Sequence, residues 1–107
     1  MGAFDDLKTI LKGELNAADL GSLRSAFDNF VSGTPEERAA AEAIANHVKE
    51  AAQAFMDGTI SRHSLEFILD QARSTSLMLA ENKAIRLKKS IIKAFFNVVI
   101  TILVKKL

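Results

Sequence analysis

The sequence predicts an all-α fold: a small helical bundle of four to five helices that ends in a long or hairpin-paired, hydrophobic and basic C-terminal helix. Three observations lead there. Apolar residues recur every three to four positions through most of the chain, which is the period of a helix with one buried face. Capping residues cut that pattern into helix-length pieces. No segment alternates apolar and polar residues as a half-buried strand would, and the β-branched run from Asn97 to Val104 fits a buried helix as well as a strand.

The first amphipathic segment, Phe4 to Leu15, spaces Phe4, Leu7, Leu11 and Leu15 on one face, with Asp5 and Asp6 at the electropositive start. Asn16 and Asp19 supply capping oxygens ahead of a second stripe of Leu20, Leu23, Phe27, Phe30 and Val31, which meets Ser32-Gly33. The sharpest local signal is Thr34-Pro35-Glu36-Glu37. Thr34 is the N-cap, Pro35 takes the first helical position, and Glu37 completes a capping box three residues on. This third helix is alanine-rich, places Ile44, Val48, Ala52 and Phe55 on one face, and stops at Asp57-Gly58.

After Gly58 neither glycine nor proline occurs again, so two readings compete. One helix runs from about Ser61 to the terminus, or a break falls near Ser74-Thr75-Ser76 or near Asn82, where side chains compete for backbone hydrogen bonds. An unbroken helix would span about 65 to 70 Å, against a radius of gyration of about 13 Å for a compact domain of this size. It would have to project from the body.

The 107 residues suit a single helical domain. With 49% hydrophobic and 25% charged residues the chain has ordinary globular usage. Its net charge of +1 conceals an asymmetry. Residues 1–82 form an acidic body with seven basic and all thirteen acidic residues, while residues 83–107, read as the basic apolar C-terminal helix, hold seven basic residues and no acidic one. The absence of cysteine removes disulfides, zinc-thiolate sites and thiol nucleophiles. The N-terminal stretch is acidic early and has lysine within its apolar pattern, so no signal peptide is expected. The expected location is cytoplasmic or within a macromolecular assembly, with peripheral membrane association as an alternative.

Motifs for chemistry fail on inspection. Asp57-Gly58-Thr59-Ile60-Ser61 looks like the second half of a calcium loop, but placing Gly58 at the turn puts Phe55 at a ligand position and Ser64 where a bidentate glutamate belongs. His47 and His63 lack a metal-ligand spacing. Ser61, His63 and Ser64 are adjacent in sequence without a group to orient a base. The scattered glycines form no phosphate loop, and the carboxylates fall on expected solvated faces. The expectation is therefore no enzyme, no cofactor, no metal and no small-molecule substrate.

What remains is the C-terminal helix. Leu87, Ile91, Phe95, Val98 and Ile102 anchor a broad apolar arc, with Arg86, Ser90, Lys93, Asn97 and Thr101 on a narrow polar stripe opposite. Such breadth predicts contact from several sides. The apolar run of about 15 residues is short of the roughly 20 that cross a bilayer, and Lys93 and Asn97 interrupt it. The first functional expectation is a non-enzymatic structural or interaction protein that assembles with itself or with a larger complex. In that reading Leu87, Ile91, Phe95, Val98 and Ile102 carry the contact, while Lys88, Lys89, Lys93, Lys105 and Lys106 orient it or attract an acidic partner. The second is a membrane-active protein, pore-forming or surface-binding, that releases this cationic helix onto anionic lipid. The third is a nucleic-acid-binding accessory protein that uses the same lysines on phosphates.

Overall fold

A computed structural model describes residues 2–11 and 13–107. Five helices follow one another: α1 (Ala3–Leu11), α2 (Ala17–Phe30), α3 (Pro35–Met56), α4 (Arg62–Glu81) and α5 (Lys89–Lys105). The expected all-α bundle is what the chain forms. The first helix is shorter than the apolar spacing suggests. Gly13 takes φ +79°, a left-handed conformation open to glycine, and the chain turns before Leu15, which is buried all the same. The part of that expected helix at Lys12 lies outside the described residues.

The capping signals act as the sequence implies. The Asn16 side chain accepts from the Asp19 N–H at 2.8 Å. Thr34 and Glu37 form the complete capping box, with Pro35 at the helix start. Ser61, rather than Thr59, caps α4 by accepting from the Ser64 N–H. At the end of α3, Gly58 with φ +77° lets its own N–H reach Phe55 O and the Thr59 N–H reach Ala54 O. Those two bonds are a Schellman stop.

The competing readings beyond Gly58 resolve into two helices. The break lies at Asn82, the C-cap of α4, and the basic segment is not helical from 83 onward, because α5 starts only at Lys89. Ser74-Thr75-Ser76 stays helical. Ser76 is buried, and its hydroxyl donates to Ala72 O at 2.7 Å, so it satisfies itself within the helix. The molecule measures 36 × 25 × 19 Å with a radius of gyration of 13.0 Å, which leaves no room for a 65 Å helix.

Helix α5 lies between α2 and α4, and α1 and α3 pack together and close the other side through α2 and α4. Ile92, Phe96, Val99 and Leu103 of α5 are fully buried. Phe95 stacks on Phe30 at 4.0 Å between ring centroids and meets Phe27 and Phe96 edge-on at 5.0 and 5.2 Å. Such pairs add to area burial. Ala41, Ala45 and Ala52 of α3 are buried as well, and their small size lets neighbouring helices come close. The Arg62 guanidinium donates to the Val104 and Leu107 carbonyls and lies 5.5 Å from the Phe55 ring centre. It supplies hydrogen bonds at a helix end that has no internal donors left.

Candidate functional site

The chain's own packing decides which parts of α5 remain available. Leu87, Phe95 and Ile102 are no more than 8% exposed, so three of the five apolar residues expected to meet a partner are enclosed in this chain's core. Leu87 anchors the connection before α5, and Phe95 and Ile102 point inward because α5 is flanked on both sides. Ile91 and Val98 are half-buried and reach the surface. The expected polar stripe is where it was placed: Arg86, Ser90, Lys93, Asn97 and Thr101 are all exposed.

Ile91 and Val98 open onto a groove of about 700 Å³ between α2 and α5. One wall is Ile91, Ala94, Phe95 and Val98; the other is Ala18, Gly21, Ser22, Ser25, Ala26, Asn29 and Phe30. The groove exists for a steric reason. Inside the bundle the rings of Phe27, Phe30 and Phe95 set the separation of the two helices. Outside, alanine, glycine and serine are too small to fill the space that separation leaves. Among the described residues its walls contain no carboxylate and no lysine or arginine.

The basic residues divide. Lys89 sits 3.9 Å from Glu81 and Lys106 3.6 Å from Asp19, both pairs half-exposed on the lysine side. Exposed pairs of this kind contribute little, though they neutralise two of the lysines within the chain. Lys88 is the N-cap residue of α5 and helps lower the pKa of Glu37. Lys93 and Lys105 are exposed and form no salt bridge among the described residues. Lys93 lies with Arg73, Leu77 and Asn97 along the crevice between α5 and α4. Lys93 therefore lies on the α4 side of α5, and Lys105 is its last residue.

Two features were not anticipated. The α2 wall could have been found: Ala18, Ser22, Ser25 and Asn29 repeat at helical spacing opposite the apolar stripe of that helix. The second feature is on α4, which carries all three large hydrophobic residues that are substantially exposed among the described residues, Phe67 at 59%, Met78 at 54% and Leu79 at 37%. Phe67 falls off the buried line of Leu65 and Leu69, and that mismatch is the signal in the sequence.

Among the described residues no group of three or more His, Cys, Asp or Glu side chains is arranged to hold a metal ion, and no helix is long and apolar enough to cross a membrane. No protein-family model matches the chain, no curated protein matches it in sequence, and no solved structure matches it.

Proposed function

We propose that this protein is a non-catalytic helical interaction module whose working surface is the α2–α5 groove, and that it accepts an amphipathic helix with acidic flanks. The observation that carries the reading is the groove itself, an open trough with Ile91, Phe95 and Val98 on one side and, on the other, small side chains with Asn29 and Phe30 at one end. An amphipathic helix laid in such a trough buries its apolar stripe by the helix-in-groove mode. Small wall residues permit the close approach that packing requires.

Charge selects the occupant. Among the described residues the groove brings no charge of its own, and Lys93 and Lys105 on α5 form no salt bridge. Acidic residues flanking the incoming apolar stripe would meet them, whereas basic ones would be repelled. This keeps the expectation of assembly through the C-terminal helix but moves the contact away from Leu87 and Ile102, to Ile91, Val98, the edge of Phe95 and the α2 wall.

Fluorescently labelled amphipathic peptides of one apolar face, with either acidic or basic flanks, test the proposal by anisotropy. The acidic peptide should bind with a Kd of tens of micromolar or better, and at least about tenfold more tightly than the basic one. Ala94→Trp, at an exposed position, should fill the trough and abolish binding while helicity is retained. Equal affinity for the two peptides, or binding undiminished by Ala94→Trp, would show the proposal to be wrong.

A further inference from the structure

A different surface, the outer face of α4, also leaves apolar side chains in water. Phe67, Gln71, Ser74 and Met78 follow one another at spacings of four, three and four, so they share one face of the helix, and all four are exposed. His63 and Glu81, also exposed, stand on the same side at the two ends. A helix that exposes a phenylalanine and a methionine more than half their surface leaves apolar area in water that a partner would cover.

We infer that α4 pairs antiparallel with α4 of a second copy of this chain, about a two-fold axis passing near residues 72 and 73. The argument is complementarity. Running the helix against its own reverse sets Phe67 opposite Met78 of the other copy and Gln71 opposite Ser74. His63 then falls opposite Glu81, and each pair occurs twice, as an isologous interface requires. Apolar groups meet apolar groups, an amide meets a hydroxyl, and a nitrogen donor meets a carboxylate. The parallel alternative stacks Glu81 on Glu81, which like charges disfavour. Glu81 is free to take part, since its contact with Lys89 is 3.9 Å long and the Glu81 side chain is 68% exposed. On the flank of this face, Asp70 and Arg73 neutralise each other at 3.0 Å, so no net charge opposes the approach. The groove between α2 and α5 lies on other helices, and the two surfaces can be occupied together.

One helix pair covers less than a standard interface of about 800 Å² per partner, so the dimer belongs to the weak, reversible class. Sedimentation equilibrium of the full chain, from about 10 μM to about 1 mM, should show the mass rising from one chain toward two. Phe67→Glu places a carboxylate against Met78 of the other copy and should weaken association at least about tenfold, while Ser22→Trp, on the exposed α2 wall of the groove, should leave it unchanged. The chain has no cysteine, so orientation can be read with engineered thiols and a short bis-maleimide. A mixture of His63→Cys and Glu81→Cys chains should cross-link, and His63→Cys alone should not, because in the antiparallel pair its two copies stand about 27 Å apart along the helices. A single-chain mass throughout the concentration range overturns the inference. So does unchanged association in Phe67→Glu, or cross-linking of His63→Cys alone as efficient as that of the mixture.

Discussion

Thr34 and Glu37 do more for the start of α3 than any other pair of side chains. The Thr34 N–H donates to Glu37 Oε1 at 3.0 Å, and the Glu37 N–H donates to Thr34 Oγ1 at 3.2 Å. The backbone hydrogen bond from Thr34 is the largest cause that holds the Glu37 carboxyl below its ordinary value of 4.5, followed by the Thr34 side chain, with the nearby Lys88 charge adding to it; slight desolvation works the other way. Because the folded state binds this proton less readily than the unfolded state, the contribution is complete above pH 4.5 and is lost as pH falls through the depressed folded value. Glu37→Gln, which keeps a hydrogen-bond acceptor but has no charge to lose, should therefore flatten the acid limb of stability below about pH 4.5. Urea midpoints measured across that range check this; parallel curves for the two proteins would show that the ionised carboxylate is not what the box uses.

At the scale of elements, the ends of α3 and α4 use one device with different residues. Both close with the paired bonds of a Schellman stop: Gly58 N–H to Phe55 O and Thr59 N–H to Ala54 O after α3, Lys83 N–H to Ala80 O and Ala84 N–H to Leu79 O after α4. The left-handed position is Gly58 in the first and Lys83, at φ +57°, in the second. A side chain there is strained by roughly 1 kcal/mol. Lys83→Gly should relieve that strain, and against the greater freedom of glycine in the unfolded chain it should still raise stability by a few tenths to about 1 kcal/mol. Chemical denaturation measures it, and a destabilised Lys83→Gly would mean that the lysine side chain does something the turn needs. The same residue explains what the sequence withheld. Gly58 announces the end of α3 in plain letters, whereas nothing about a lysine marks it as a helix stop, so a break near Asn82 competed with one near Ser76 and with no break at all. Ser76 resembles a helix breaker in sequence and is harmless here because its hydroxyl finds Ala72 O one turn back.

At the scale of the molecule, the breadth of the apolar arc on α5 was a correct sign of burial and an incomplete guide to which partner does the covering. Periodicity gives the angular width of an apolar face, but whether the cover comes from α2 and α4 or from another chain depends on how the helices pack, and packing is long-range. The expected contact residues therefore separate: Leu87 and Ile102 go to the core, Ile91 and Val98 to the groove, and Phe95, buried, forms the floor between them. The α4 face was missed because Phe67 and Met78 look, in one dimension, like two more apolar letters in an amphipathic helix. With Phe95 in contact with rings from α2 and with its own neighbour Phe96, and Arg62 of α4 bonded to the carboxyl end of α5, the last helix is held between α2 and α4. Removing its cover should be possible only by opening the whole bundle, which makes native-state hydrogen exchange the most direct test. The amides of Ile92 to Leu103 should exchange last in the intact chain, at the rate of global unfolding, and far more slowly than those of residues 83–88; exchange of the α5 amides as fast as that of the 83–88 connection would contradict a fold centred on this helix.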